Sequence, residues 1–188
     1  PLYNKESGIT GLIKEAKKDL EALQTAKFDA IMFGNENDRP YQLNVDTAST
    51  AAAAYIIGEL KRDIKIPFGV DMLWDPMATI ALGTATKANF AREIFTGTYS
   101  SDMGIWAPNA GEALRYKQNL GSEEMLLLFN ISAEFAYSQD RRPLTDRARS
   151  VVFSSLPDAI LVSGQITGEA ASMNDLMLSL IHISEPTR

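Results

Sequence analysis

The sequence has no cysteine and a single histidine, His182, in 188 residues. The first absence excludes disulfides and thiolate metal sites, and it suits a reducing compartment such as the cytoplasm. The second leaves proton transfer to carboxylates, lysine or tyrosine. No segment reaches the roughly 18 consecutive apolar residues of a membrane span, and "ASTAAAAYIIGEL", the longest bland run, is interrupted and amphipathic. Basic charge is also short: 18 Lys and Arg face 24 Asp and Glu, for a net charge of −6. That balance argues against an electrostatic grip on nucleic acid or anionic lipid. Neither G-x-G-x-x-G nor G-x-x-x-x-G-K-[ST] occurs, so dinucleotide and P-loop signatures are missing. No signal peptide opens the chain, and its first residue is Pro1, so the natural start is expected upstream.

What is present is the material of a globular core: 45% hydrophobic and 22% charged residues. "GITGLIKEAKKDLEALQTA" sets Ile9, Leu12, Ile13, Ala16, Leu20 and Leu23 at helical spacing. "FDAIMFG" follows as a buried strand and "NENDRPY" as a turn. Asp46 or Thr47 is positioned to cap "TASTAAAAYIIGELKRDI". The alternation repeats with "IPFGVDML" as strand, "PMATIALGTATKA" as helix opened by Pro76, and "NFAREIF" as strand. A long Gly/Ser/Thr loop is expected up to Pro108, then a helix "NAGEALRYKQNL" capped by Asn109. "EMLLLFNIS", "LTDRARSVVFSSL" and "DAILVSG" read as strand, helix and strand, and "TGEAASMNDLM" opens one more helix.

Five apolar strands alternating with helices imply right-handed βαβ units and a parallel sheet, hence an α/β fold. A (β/α)8 barrel of about 250 residues is the natural candidate, and this chain is too short for a whole one. No composition shift marks an internal boundary. In such a barrel the reactive groups stand at the C-terminal ends of the strands. Those ends supply Asn35, Asp38 and Arg39; Asp71 and Asp75; Arg92 and Glu93; Asn130, Ser132 and Glu134; and Ser163 with Thr167.

Asp71 and Glu134 are the candidate acid–base groups, since burial raises a carboxylate towards neutrality. Arg92 interrupts an apolar strand, and its guanidinium needs either a substrate anion or a structural pair with Asp71 or Glu134. Asp38 and Arg39 either bind and orient a substrate or close a local turn. Gly164 and Gly168 let backbone amides approach a ligand beside Ser163 and Thr167, or simply form a βα turn. Ser163 is no nucleophile, because no G-x-S-x-G elbow surrounds it. Grouped acids could hold Mg²⁺ through oxygen, although no spacing demands it, so no metal site or resident cofactor is expected. Trp74, Trp106 and Tyr99 either stack on a sugar or pack locally.

Three stretches carry a family resemblance. "NENDRPY" resembles the Asn-x-x-Asp-x-Pro-aromatic signature of the BtpA/SgcQ family. "FAREIFTGTYSSDMGIWAPNAGEALRYK" resembles its Arg-bearing strand, Gly loop, Asp-x-Gly and Arg-Tyr helix, and "DAILVSGQITGE" its Ser-Gly-x-x-Thr-Gly strand end. The wording "FNISAEFA" is closest to the SgcQ-like branch. The chain departs from the family where Glu134-Phe135 replace Lys-His, Gly34 replaces an acidic residue, and Asp75-Pro76 replace Asn-Asp.

The resemblance implies a TIM barrel related to ribulose-phosphate-binding barrels, with strands 2–6 present and strands 1, 7 and 8 missing. The strand ends and these motifs together give the expected substrate-binding set of Asn35, Asp38, Arg39, Asp102, Asn130, Ser163, Gly164, Thr167 and Gly168. Family members are associated with photosystem I accumulation in cyanobacteria, or with carbohydrate-uptake and sugar-phosphate genes. The expected function is therefore binding or conversion of a small phosphorylated or carbohydrate-like metabolite, with isomerase or lyase chemistry if it is an enzyme. The alternative is a non-catalytic assembly factor. The expected setting is a cytoplasmic protein that binds a small molecule, spans no membrane, binds no nucleic acid, and is open to homo-oligomerisation when intact.

The last eleven residues, "LSLIHISEPTR", resemble translated read-through of a transposon mosaic-end sequencing adapter. Residues 1–177 are thus expected to be an incomplete barrel domain and 178–188 an artefact tail, which removes His182 from the chemistry. A sheet short of three strands leaves unpaired parallel edges, so the chain alone is expected to be insoluble or molten, and inactive.

Overall fold

A computed structural model describes residues 6–164 and 170–180. The described residues form two compact units, one of residues 6–92 and 116–126, the other of residues 93–115, 127–164 and 170–180. Strands and helices alternate, and the strands that alternate with helices pair in parallel, which makes this an α/β fold.

The first unit opens with α1 (Gly8–Thr25), whose apolar stripe buries Leu20. Strands β1 (Ile31–Gly34), β2 (Phe68–Asp71) and β3 (Phe90–Glu93) follow, with Ile31 opposite Phe68 and Val70 opposite Ala91. Between them run α2 (Thr47–Leu60) and α3 (Pro76–Thr86). Both helices start where the sequence says they should. Asp46 accepts the Ser49 amide at 2.9 Å, and Asp75 accepts the amides of Met77 and Ala78 with Pro76 beside it.

Side chains alternate across a strand, so each strand has a helix-facing and an opposite side. Gly83 of α3 identifies the first: a Cβ there would collide with Met125 Sδ and lie 3.2 Å from Val70 Cγ2. Val70 and its neighbour Ala91, both fully buried, therefore face the helix layer. Gly69, Asp71, Phe90 and Arg92 point the other way. A Cβ on Gly69 would collide with the Phe90 ring, so glycine lets that ring lie across β2. At the opposite, N-terminal ends of the strands, Asn89 pins the edge: its side chain accepts the Phe68 amide at 3.0 Å and its carbonyl accepts the Leu126 amide.

The second unit contains the antiparallel strands β4 (Tyr99–Ser101) and β5 (Gly104–Trp106), and α4 (Ala110–Asn119) begins in it. It continues through β6 (Leu126–Asn130), β7 (Ala136–Ser138), α5 (Leu144–Ser155), β8 (Ala159–Leu161) and α6 (Met173–Leu180). Strands β6 and β8 are parallel, with Phe129 opposite Ile160, and Asp158 accepts the Leu127 amide at 2.7 Å. Phe95 and Phe129 pack at 4.6 Å between ring centres, both fully buried.

Two expectations need correcting. The stretch before Pro108 is not a plain loop but a β4–β5 hairpin, and β7 joins it to make a three-stranded antiparallel sheet in the order β5-β4-β7. Gly104 takes a φ of +101° at the hairpin, which glycine adopts without strain. The last helix starts at Met173, later than "TGE" suggested.

Candidate functional site

In the first unit the C-terminal ends of β2 and β3 hold an ion pair. Arg92 Nη1 lies 3.2 Å from Asp71 Oδ2 and donates a hydrogen bond to it. The register that sets Val70 opposite Ala91 places Asp71 abreast of Arg92 on the face turned away from α3. The Asp71 side chain is only 3% exposed, against 19% for Arg92. A carboxylate so deep keeps its charge only with a partner, and a guanidinium is the partner whose geometry suits it. Below the pair, on the same face, lies the half-buried ring of Phe90.

The turn after β1 scaffolds this end of the unit. Asn35 Oδ1 accepts the Leu73 amide at 2.8 Å, tying the β1 loop to the β2 loop. The Asn35 carbonyl accepts the Asp38 amide at 2.9 Å, Asp38 is half-buried, and Arg39 is exposed. Asp75 caps α3 and also accepts the Val45 amide at 2.9 Å, so both of its oxygens serve the backbone. Trp74 is buried and meets Tyr41 edge-on at 6.3 Å.

In the second unit the ends of β6 and β8 carry an uncharged network. Asn130, 2% exposed, donates from Nδ2 to Ser163 Oγ at 2.6 Å and accepts the Ser132 amide at 3.2 Å. The Ser163 amide in turn donates to Ser132 Oγ at 2.6 Å. Gly164 follows directly, half-buried, whereas Thr167 and Gly168 fall outside the described residues. Glu134 stands half-buried in the turn before β7, and Asp102 is exposed between β4 and β5. Glu93, at the end of β3, is buried and accepts the Ile94 amide at 2.6 Å.

The sequence-predicted residues thus separate by environment. Asp71 and Arg92 come together, as do Asn130 and Ser163, with Ser132 between them. Asp102 lies in the β4–β5 turn. Tyr99 and Trp106 stack on each other at 4.7 Å and are buried, which is the local packing of the two alternatives. Burial pushes the Tyr99 hydroxyl up to about 12, outside acid–base use near neutrality. Phe90 is the residue sequence reading passed over. Only the β2–β3 register, which sets it against Gly69, reveals it. Among the described residues, no group of three or more His, Asp or Glu is placed to hold a metal ion.

Helices alternating with strands that pair in parallel define the class, an α/β protein. The chain belongs to the BtpA family, whose model matches residues 1–186. It is 46% identical over 168 residues to the sgc region protein SgcQ of Escherichia coli, covering 89% of this chain and 63% of SgcQ. It is 29% identical over 174 residues to the photosystem I biogenesis protein BtpA of Synechocystis, covering 91% of this chain and 60% of that protein. An uncharacterized protein of Archaeoglobus fulgidus is 30% identical over 174 residues, covering 89% of this chain and 68% of its own. The chain thus spans about three-fifths of SgcQ and of BtpA. No helix among the described residues is long and apolar enough to cross a membrane.

Proposed function

We propose that this chain contributes the β2 and β3 ends of a TIM-barrel site that binds or converts a small phosphorylated or carbohydrate-like metabolite. The observation that carries the reading is the buried Asp71 carboxylate held by Arg92 at the C-terminal ends of neighbouring parallel strands. Asp71 is the acid–base group. Arg92 orients it and meets negative charge that develops on the ligand. Glu134 is the corresponding carboxylate of the second unit, and Asn130, Ser132 and Ser163 supply neutral hydrogen bonds there. If the protein is an enzyme, this set suits isomerase or lyase chemistry, which moves a proton and draws on no resident cofactor.

The test is a thermal-shift screen of sugars and sugar phosphates on the full-length protein, followed by Asp71→Asn. Binding of a panel member, with turnover at least 100-fold lower in Asp71→Asn, supports the reading. A panel that leaves the melting temperature unmoved sinks it.

A second reading, a non-catalytic assembly factor, draws on the similarity to the protein named for photosystem I biogenesis. It also draws on the exposed face of the small sheet, where Ile105 and Tyr137 flank Ser100. In that case Ile105→Ser with Tyr137→Ser abolishes partner recovery, while Asp71→Asn leaves it intact.

A further inference from the structure

We propose that Arg147, in the first turns of α5, anchors an anion-binding site for a phosphoryl group, carried by a phosphate monoester or met as free phosphate. The inference goes beyond the reading above. It concerns the second unit alone and does not depend on Asp71 as the acid–base group.

The first argument is an unbalanced charge. Arg147 is half-buried, and its Nη1 donates to the carbonyl of Ile131, the residue after β6, at 3.3 Å. That is its one hydrogen bond among the described residues: Nε is sealed from solvent without a partner, and the guanidinium forms no ion pair there. Asp140 and Asp146, the two aspartates of this stretch, both act on Arg142, and Asp140 holds it at 2.6 Å. A single neutral carbonyl does not offset the cost of taking a guanidinium partly out of water; an anion does. The planar fork, with N–H groups left over, matches the oxygens of a phosphoryl group.

The second argument is the setting. The twelve-residue α5 has Pro143 as its N-cap and no side-chain cap. The amides of Asp146 and Arg147 turn back to the Pro143 carbonyl, so Leu144 and Thr145 carry the uncapped donors of the first turn, where the helix dipole favours an anion. Helical side chains lean towards the N-terminus, which brings the Arg147 guanidinium to the same end. Around it "QDRRPLTDRAR" sets four arginines against two aspartates, in a chain whose net charge is −6. The helix end alone would define nothing; the partly buried arginine without a counter-ion is what points to a ligand.

The experiment titrates the full-length protein by calorimetry with inorganic phosphate, D-ribose 5-phosphate and D-ribose, and follows the melting temperature in the presence of phosphate. The expected result is that phosphate binds and raises the melting temperature. In Arg147→Gln its affinity falls about tenfold or more and the rise disappears, while any affinity for free ribose is unchanged. Competition between ribose 5-phosphate and phosphate identifies the monoester as a source; binding of phosphate alone identifies the free ion. If phosphate does not bind, or binds Arg147→Gln as tightly as the natural protein, the inference fails, and the broader reading still stands or falls on the sugar panel. Should Arg147→Gln not fold, Arg147→Lys keeps the charge and loses the fork: phosphate affinity must fall there too, and full affinity overturns the proposal.

Discussion

The ends of β2 and β3 and the ends of β6 and β8 answer the same problem, a polar group at the rim of an apolar sheet, with opposite chemistry. At Asp71 and Arg92 the rim is held by charge, one buried carboxylate against one guanidinium. At Asn130, Ser132 and Ser163 it is held by a closed ring of neutral hydrogen bonds. Only the first contains a carboxylate, the group proposed above for proton transfer. The second can only position. The charged rim should therefore be the more fragile to single substitutions and the more informative about chemistry.

The largest expected effect is at the charged rim. Arg92→Ala leaves Asp71 buried without its counter-ion and should destabilise the full-length protein by about 3–5 kcal/mol in urea unfolding. The double variant Asp71→Leu, Arg92→Met should recover most of that loss. If Arg92→Ala alone is neutral, the pair does not hold the rim. Next comes the neutral rim, where Asn130→Ala removes the hydrogen bonds to the Ser163 hydroxyl and the Ser132 amide. A loss of about 1–3 kcal/mol is expected, smaller than at Arg92; the reverse order would break the comparison. Asp75→Ala, which removes the α3 cap, should cost about 1 kcal/mol without touching ligand affinity.

The smallest effect is at the surface. Asp140 holds Arg142 through hydrogen bonds of 2.6–3.0 Å, and these hold its carboxyl below the usual carboxylate range. A depressed folded-state value means the stabilisation is present above the ordinary value near 3.8 and is lost as the pH falls through the lower one. Asp140→Asn should therefore cost at most about 1 kcal/mol at neutral pH, with the difference vanishing in acid. A pH-independent difference would contradict the ion pair.

The parallel strands and the helix starts were legible because each is written locally: an apolar run, an aspartate before a proline, a glycine after a strand. The β4–β5–β7 sheet was not. Its strands are three residues long, and Tyr99 pairs with Ser138, far along the chain, so a window around "TGTYSSDMGIW" contains at most the β4–β5 half of the sheet. The site divides in the same way. Arg92 inside "NFAREIF" announced a buried charge and left open whether an anion or a carboxylate meets it; the structure supplies Asp71. Asn35 carried no mark of its bond to the Leu73 amide, which depends on how two loops fall together. Phe90 looked like one more core aromatic until the register set it against Gly69.

The close approach at Gly83 has an evolutionary corollary. The volume that glycine leaves empty is filled by Met125, 4% exposed, so the two positions share one parcel of space. Substitutions there should be accepted in pairs: an alanine or serine at 83 becomes tolerable when 125 shrinks to valine or alanine, and neither change spreads readily alone. Across homologues, the summed side-chain volume of these two positions should vary less than the volume of either one.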